Sequence, residues 1–275
     1  MIRHLLLTFV ALGAFGGLVG ACAAQDLSDC GHGLADLSAA VAACTANIQS
    51  GKLGKDLLAD TLLRRAGYYE QLKAFDKAVG DCTAAIAQRP DFSRGYVCRG
   101  VMYDETNRLN LAIADYSHAL RLNPNDGLAA INRGMALTKN NDFAASILDF
   151  NNAIRLVPDG ALGWNNRCWS RAIIGKELDA ALADCNEAIR LSPAEGSYWN
   201  SRGFVRFRMK QYREAIGDYN ASIARGHASG SSYYIRGLAK LALGDASGNA
   251  DIVRGVSLES GIAARFAGYG VSAKR

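Results

Sequence analysis

The sequence is poor in the residues and motifs that most catalytic and metal-binding sites require. It has four histidines, and the three beyond the N-terminus, His32, His118 and His227, lie far apart. It has no Cys-x-x-Cys pair, GxSxG, HExxH, phosphate-binding loop or strand-associated GxGxxG. We therefore expect no metal, no cofactor and no enzymatic activity. An enzyme with a site built across several repeated units is the remote alternative.

Charge of one sign is not concentrated anywhere along the chain. The 31 basic and 26 acidic residues give a formal net charge of +5, and the two signs alternate along the predicted helices. Proteins that bind nucleic acid usually carry clustered basic residues. Nucleic acid is therefore not an expected partner.

Proline is as rare as histidine, but its four copies are evenly spaced. The intervals are 34, 34 and 35 residues between Pro90, Pro124, Pro158 and Pro193. The surrounding segments repeat as well, as in ALRLNPND, AIRLVPDG and AIRLSPAE. A fixed period of this length is typical of stacked helical units, each too thin to bury its own hydrophobic face.

Side chains of fixed size recur at fixed distances before each proline. Small residues stand twelve and five positions before it, at Ala78 and Ala85, Ala112 and Ala119, Ser146 and Ala153, and Ala181 and Ala188. A further small residue stands 24 positions before, at Ala66, Gly100 and Gly134, and shifts to Cys168 in the fourth unit through an insertion near Gly175. The position eight before, here called the seam position, is held by Cys82, Tyr116, Phe150 and Cys185. Small residues let two antiparallel helices approach closely, the seam residue fills the space between them, and the proline ends the second helix.

This pattern resembles the tetratricopeptide repeat. The resemblance implies an all-α fold, an α-solenoid of helix-turn-helix hairpins stacked into a right-handed superhelix with a concave groove. Six units are expected over residues 57–255, beginning near Ala59, Ser93, Gly127, Ala161, Gly196 and Gly230. Residues 25–56 are expected to form an N-terminal cap or half repeat, and residues 256–275 a C-terminal capping helix.

Each unit departs from the common repeat by an Arg in its first helix and an Asp in its second. The pairs are Arg65 with Asp81, Arg99 with Asp115, Arg133 with Asp149, Arg167 with Asp184, Arg202 with Asp218 and Arg236 with Asp251. Both positions are usually apolar in the family, so the paired change predicts a salt bridge, either within a hairpin or to the next one. Separately solvated charges are the alternative. An anion site is a weaker alternative, because each Arg has its own carboxylate.

The first 24 residues differ in composition from the rest. A basic start precedes an apolar run over residues 5–19 and then a stretch of small residues, which is typical of an export signal peptide. The alternatives within this segment are cleavage after Ala23 or Ala24, lipidation of Cys22 in a lipobox-like VGAC sequence, and an uncleaved anchor. We expect an exported protein, periplasmic or secreted, or alternatively an envelope lipoprotein that meets the membrane only through its lipid.

Apart from Cys22, the cysteines fall into three neighbouring pairs. These pairs are Cys30 with Cys44, Cys82 with Cys98, and Cys168 with Cys185. Cys168 takes the small position and Cys185 the seam position of one hairpin, so these two side chains should face each other. In an oxidising compartment each pair is expected to form a structural disulfide. The alternative for the second and third pairs is that they are small buried hydrophobic residues.

One side of the first helices is apolar and aromatic and is not used by the seam. Residues four apart on a helix share a side, and this one, here called the first-helix face, comprises Val97, Val101, Ile131, Met135, Asn165, Trp169, Asn200, Phe204, Tyr234 and Leu238. Apolar anchors and Asn amides suit a peptide groove, so the face predicts a protein or peptide partner. The alternatives are that part of the face packs into the core, and that the protein is a lipid-anchored structural or assembly factor with broad contacts. The basic clamp of chaperone-binding family members is not evident.

Overall fold

The computed structural model describes Cys30 and residues 36–271. Within these residues the protein has fourteen α-helices and no β-strand, which confirms the all-α prediction. The helices are α1 (Leu37–Gln49), α2 (Lys55–Gln71), α3 (Phe75–Gln88), α4 (Ser93–Glu105), α5 (Leu109–Leu122), α6 (Gly127–Lys139), α7 (Phe143–Leu156), α8 (Ala161–Ile174), α9 (Leu178–Leu191), α10 (Gly196–Arg208), α11 (Tyr212–Ala224), α12 (Gly230–Ala242), α13 (Gly248–Leu258) and α14 (Ile262–Gly268). The predicted export signal, including Cys22, lies outside the described residues. No helix in the described part of the chain is both long and apolar enough to span a membrane.

The contacts divide the chain into two compact units, residues 1–140 and residues 141–275. In the first unit α2 packs on α3 and α4 on α5, and α3 and α5 each pack on the helix that follows. In the second unit the hairpins are α8 with α9, α10 with α11 and α12 with α13, joined through the contacts α7–α8, α9–α10 and α11–α12. First helices also touch their neighbours, as α4 does with α2 and α10 does with α8 and α12. The helices therefore stack as consecutive hairpins within each unit.

The prolines act at the ends of the second helices. Helix α5 ends at Leu122, two residues before Pro124, and Asn123 between them is extended, with φ −136° and ψ 89°. The residue before a proline is driven into this conformation by a clash with the proline ring. The Asn123 N–H still bonds to the Ala119 carbonyl at 2.8 Å, so the last turn closes before the chain departs.

The turns inside the hairpins require a left-handed residue. Asn107 (φ 57°) and Gly175 (φ 73°) tolerate this conformation at little cost. Lys73 (φ 56°) and Lys210 (φ 62°) adopt the same conformation, although lysine is not a residue type from which it could be predicted. The insertion in the fourth unit lengthens its first helix to 14 residues, against 13 for α10, and Gly175 ends it.

The small positions and the seam position fit each other in size. A Cβ atom on Gly100 would lie only 2.7 Å from the Tyr116 ring, and one on Gly203 only 3.1 Å from the Tyr219 ring. Glycine is therefore favoured opposite a tyrosine at the seam position, because a Cβ atom there would push the ring aside. In the fourth unit, where the seam residue is the short Cys185, the opposite position is also a cysteine.

The three predicted cysteine pairs are joined as disulfides. Cys30 is bonded to Cys44 on α1, with a Cα–Cα distance of 4.7 Å. Cys82 on α3 is bonded to Cys98 on α4, with a Cα–Cα distance of 6.0 Å, so this bridge joins one hairpin to the next. Cys168 and Cys185, with a Cα–Cα distance of 5.5 Å, join the two helices of a single hairpin. All six cysteines are buried, so the bridges also fill core volume.

The structure also decides between the two interpretations of the second and third cysteine pairs. Cys82, Cys98, Cys168 and Cys185 are fully buried, as small hydrophobic residues would be, but each is also bonded to its predicted partner. The alternative of unbridged core residues is therefore wrong for these four. The bridge to Cys44 fixes Cys30, which lies outside any described helix, against α1.

We predict that none of these six cysteines is a reactive thiol in protein isolated without reductant. The bridges close loops with sequence separations of 14, 16 and 17 residues, and each should contribute about 3 kcal/mol to the free energy of unfolding. The measurement is thiol titration of denatured, unreduced protein, followed by denaturant unfolding with and without reductant. Four or more reactive thiols would contradict the prediction of three bridges. Two reactive thiols would show that one of the three bridges is absent.

Candidate functional site

The repeated Arg and Asp form buried ion pairs inside the hairpins. The Nε and Nη2 atoms of each Arg donate to the two carboxylate oxygens. The described pairs are Arg65–Asp81 (2.7 and 2.7 Å), Arg99–Asp115 (2.8 and 2.8 Å), Arg167–Asp184 (2.9 and 2.6 Å), Arg202–Asp218 (3.0 and 2.7 Å) and Arg236–Asp251 (2.8 and 2.6 Å). The predicted salt bridge is confirmed in these five hairpins. Arg133 and Asp149 lie in different compact units, and the salt bridge between them stays a prediction.

A third donor of each Arg reaches back to the preceding hairpin. Its Nη1 atom donates to a side-chain oxygen of the residue that directly follows the seam position. For Arg65, which has no complete hairpin before it, the acceptor is a residue of α1. These acceptors are Thr45, Thr83, Ser117, Asn151, Asn186 and Asn220, at 2.7–3.4 Å. These acceptors are not among the residues predicted from the sequence, although a Thr, Ser or Asn follows the seam position in each of these hairpins. Each Arg of the five described pairs thus ties three helices together.

Three of the repeat carboxylates in the second unit also receive a second cation. Arg171 donates to Asp184 at 2.6 Å, Arg206 lies 2.9 Å from Asp218, and Lys240 lies 2.8 Å from Asp251. Burial raises the pKa of Asp251, but the hydrogen bonds from Arg236 and Lys240 outweigh it, and the net pKa is lowered. Because the Asp side chains accept from these cations and are largely buried, the alternative of separately solvated charges is wrong in these hairpins.

An aromatic residue three positions before the Arg supports it from one side. The rings of Tyr96, Trp164, Trp199 and Tyr233 lie 5.8, 5.0, 4.6 and 5.2 Å from the Arg Cζ atoms of their own helices. Trp164 Nε1 also donates to the Pro158 carbonyl at 2.8 Å, and Trp199 Nε1 to the Pro193 carbonyl at 3.0 Å. The two tryptophan bonds fix the start of these first helices relative to the preceding proline. The spacing of six residues between the proline and the aromatic residue can be recognised in the sequence.

The first-helix face of the first unit is only partly available to a partner. Val97 and Val101 are buried and belong to the unit's hydrophobic core, so for them the core alternative holds. Ile131 is also buried, whereas Met135 is half-buried and Leu128, near the start of α6, is 52% exposed. The accessible apolar surface on the first helices of this unit therefore lies along α6.

A cluster of carboxylates lies near this face at the ends of α2 and α4. Burial raises the pKa of Glu70 to about 7, with a further contribution from the charge of Glu105. Burial also raises the pKa of Glu105. The positive charge of Lys139 lowers this pKa and the negative charge of Asp104 raises it, and the net shift is upward. Lys139 Nζ bonds to Asp104 at 2.8 Å and partly balances the cluster.

The first-helix face of the second unit is covered by the chain itself. Phe204, Tyr234 and Leu238 are buried in one hydrophobic core with Ile262, Phe266 and Val271, and Trp169 packs against that core. The Phe204 ring centroid lies 5.1 Å from that of Trp169 and 5.4 Å from that of Phe266. The expectation of an open surface is wrong for these residues, because residues 262–271, here called the C-terminal segment, lie over them.

The two Asn residues on this face have different surroundings. Asn200 Oδ1 accepts from the hydroxyls of Ser231 (3.3 Å) and Ser232 (3.0 Å) on the next first helix, so it holds neighbouring hairpins together. Asn165 is 6% exposed, and its Oδ1 has no hydrogen-bond partner. One turn further along α8, Trp169 Nε1 is also buried without a partner. An unused acceptor and an unused donor therefore lie on the same side of α8.

No group of three or more His, Cys, Asp and Glu side chains is arranged to hold a metal ion in the described part of the chain. The Arg side chains of the hairpins already donate to carboxylates and to the preceding hairpin.

A family model identifies the repeat. The model for the tetratricopeptide repeat matches residues 93–126, which comprise α4, α5 and Pro124. This segment of the chain is a tetratricopeptide repeat. The match covers the second predicted unit, and the other hairpins follow it in helix order and packing.

Solved tetratricopeptide-repeat proteins share the fold. One from Parabacteroides merdae aligns with a TM-score of 0.65 at 18% identity, covering 86% of this chain and 93% of that protein. The Pseudomonas aeruginosa pilF protein aligns with a TM-score of 0.64 at 16% identity, covering 76% and 95%. YrrB, described as a tetratricopeptide-repeat protein with an unusual peptide-binding site, aligns with a TM-score of 0.57 at 16% identity, covering 70% and 96%. No curated protein matches the sequence.

We predict that Arg99→Leu lowers the free energy of unfolding by about 3–5 kcal/mol, because the buried Asp115 carboxylate loses its partner. The double variant, Arg99→Leu with Asp115→Leu, should recover much of this loss, since apolar residues usually occupy both positions in the repeat. Denaturant unfolding of the single and double variants measures both effects. The matched control is Arg190→Leu, which breaks the exposed pair with Glu187 (2.6 Å) and should leave stability unchanged. A loss of under about 1 kcal/mol for Arg99→Leu would mean that the pair is worth no more than a surface pair.

We predict that Glu70 makes the protein less stable as pH rises. A folded-state pKa of about 7 lies above the ordinary value of 4.5, so the folded state binds more protons between these values. The contribution is therefore fully present below about pH 4.5 and is lost as pH rises through 7. Allowing for solvent screening, its size is on the order of 1 kcal/mol. Unfolding measured from about pH 4.5 to 8 should show this slope in the wild type and a flatter one in Glu70→Gln, and equal slopes would contradict the assignment.

Proposed function

We propose that this protein is a non-enzymatic scaffold of the cell envelope that binds a segment of a protein partner on its first-helix face. The proposal rests on two of the unsatisfied polar atoms on α8, Asn165 Oδ1 and Trp169 Nε1, which lie on the same side of the helix. Buried polar groups without partners are uncommon and costly in native proteins. An acceptor and a donor one helical turn apart match the N–H and C=O groups that a peptide backbone presents.

The fold supports an interaction role. Tetratricopeptide repeats typically act as interaction scaffolds, and the structurally similar YrrB is described as having a peptide-binding site. In this chain the repeated Arg and Asp side chains of the hairpins are engaged in structural ion pairs. Apolar and amide side chains are therefore the groups left to contact a partner, and a protein segment is the class of ligand that suits them.

The accessible part of α6 extends the proposed surface in the first unit. The exposed Leu128 and the half-buried Met135 offer apolar contact there. Methionine is flexible and polarisable, so it suits a surface that adapts to different partner side chains. We assign this surface a supporting role, because the described residues of α6 include no unsatisfied donor and acceptor one helical turn apart.

The proposed location in the envelope rests on the N-terminal sequence and the cysteines. Disulfides persist in oxidising compartments, and the three buried bridges fit an exported protein. Mass spectrometry of the mature N-terminus separates the two forms. A diacylglyceryl group on Cys22 would identify a lipoprotein, whereas cleavage after Ala23 or Ala24 would identify a free protein. An intact N-terminus starting at Met1 would contradict export by cleavage.

A structural or assembly factor with broad contacts is the second candidate, and one observation favours it. Helix α13 exposes Val253 (69%), Val256 (38%) and Leu258 (41%). In an array of hairpins such a side would normally face the next repeat. A variant carrying Val253→Asp should lose partners bound by broad contacts and keep those bound on the first-helix face.

We predict that Trp169→Phe and Asn165→Ala each reduce capture of the partner about fivefold or more, because each removes one bond to the partner backbone. The measurement is quantitative pull-down from envelope extract with the full chain, comparing the proteins that the wild type retains, together with thermal melting by circular dichroism. Trp169→Phe keeps most of the ring and should leave the melting temperature nearly unchanged.

The matched control is Trp164→Phe, which removes a donor that bonds within the protein to the Pro158 carbonyl. It should lower stability and leave capture unchanged. Phe204→Ala is unsuitable as a binding test. It removes a fully buried phenyl group and should lower the free energy of unfolding by about 3–5 kcal/mol, so a loss of capture could reflect unfolding. Undiminished capture by Trp169→Phe and Asn165→Ala would rule out α8 as the binding surface.

A further inference from the structure

The C-terminal segment contacts far more than the last hairpin. Helix α14 packs on α12 and α13, as a terminal capping helix would. The segment also continues to Phe204 on α10, and the Tyr269 ring lies 6.1 Å from that of Phe143 at the start of α7. Arg208 Nη1 at the end of α10 donates to the Tyr269 carbonyl at 2.8 Å. The segment therefore runs across the first helices α10 and α12 to the start of α7, and does more than close the end of the stack.

The side chains that face the hairpins form a pattern like that of a bound peptide. Ile262, Phe266 and Val271 are buried, while the small residues between them, Ala263, Ala264 and Ala267, are exposed. Phe266 is the central anchor, with its ring centroid 5.4 Å from that of Phe204 and 6.0 Å from that of Tyr234. Two apolar side chains four residues apart are how a short amphipathic helix docks in a groove.

The segment has little structure of its own to hold it in place. Helix α14 has seven residues, no side-chain hydrogen bond at its N-terminus, and Gly261 at its N-cap. Isolated helices of this length are unstable in water. Besides the three buried side chains, its described anchors are the Arg208 bond, ring contacts from Tyr269, and a local pair between Arg265 and Glu259 (2.9 Å). A segment held from one side by a few side chains is a candidate for local opening.

We propose that residues 262–271 are a resident ligand of the first-helix face, and that a partner segment with the same chemistry displaces them. The partner segment is an amphipathic helical turn with an aliphatic and a phenyl side chain four residues apart, which take the positions of Ile262 and Phe266. The backbone contacts to Asn165 and Trp169 described above come from the residues that flank this turn, whose N–H and C=O groups are not used inside a helix. This inference rests on the proposed function and specifies which segment the face accepts.

Hydrogen exchange of the wild-type full chain tests whether the segment opens. Amides of residues 262–271 should exchange at least about tenfold faster than those of α10 and α12, under conditions where global unfolding is rare. Exchange of the segment at the same rate as α10 and α12 would overturn the proposal, because the segment would then open only with the whole unit.

Binding of a labelled synthetic peptide that copies residues 260–271 tests displacement. Phe266→Ala weakens the binding of residues 262–271 to the first-helix face in the full chain. The state in which this face is open is then more populated, and the peptide should bind about tenfold more tightly than to the wild type. Val271→Ala is a milder variant, for use if Phe266→Ala fails to fold, and should give a smaller gain. The matched control Phe75→Ala, in the first unit, should lower stability with no change in peptide affinity.

A loss of stability in Phe266→Ala and Val271→Ala without a gain in peptide affinity would overturn the proposal and leave α14 as a fixed cap. The proposed function fails independently of this result. If Trp169→Phe retains full capture of envelope partners while the peptide still binds Phe266→Ala, the segment is displaceable but the partner binds elsewhere. If capture depends on Trp169 and the peptide never binds, the scaffold function stands and the resident-ligand inference is wrong.

Discussion

The structure depends on one repeated interaction, the Arg guanidinium that joins three helices. Its Nε and Nη2 atoms clamp the Asp of the same hairpin, and its Nη1 atom bonds to a Thr, Ser or Asn of the preceding helix pair. A planar guanidinium with five donors can satisfy such a set of acceptors at fixed angles, whereas a Lys ammonium cannot. The same residue therefore sets the geometry within each described hairpin and the register between hairpins.

A buried ion pair is not in itself a strong source of stability, because desolvation of the two charges offsets much of their attraction. Its stronger effect is on specificity, since a misaligned hairpin would leave a buried carboxylate without a partner. The Arg–Asp pairs and the Nη1 bonds to the preceding helix pair are here called the polar ladder. We infer that the polar ladder selects the stacking register, while the alanines, glycines and seam residues supply the close packing. The second cations at Arg171, Arg206 and Lys240 reinforce this selection in the second unit.

This division of roles leaves the first-helix face as the surface on which we propose that a partner binds. Residues of the ladder are satisfied, and the described polar atoms without partners include Asn165 Oδ1 and Trp169 Nε1 on that face. The C-terminal segment lies on the same face and binds through Phe266. A surface that already holds a short amphipathic segment of its own chain has the shape and chemistry to hold one from another protein. The competition between the two would set the apparent affinity for the partner.

The sequence alone determined the hairpin architecture. The four prolines act through local sterics, and the small and seam residues act through a fixed helical period, so both can be recognised without knowing the fold. The pairing of Arg99 with Asp115 followed from the same period, and the pairing of Cys82 with Cys98 from their neighbouring positions in successive hairpins. Only the tertiary structure decided which of the first-helix residues are accessible. Val101 and Phe204 occupy equivalent positions in their repeats, yet Val101 is buried by its own hairpins, whereas Phe204 is also covered by Phe266. That contact joins residues far apart in sequence and falls outside the repeat, so no periodic pattern could predict it.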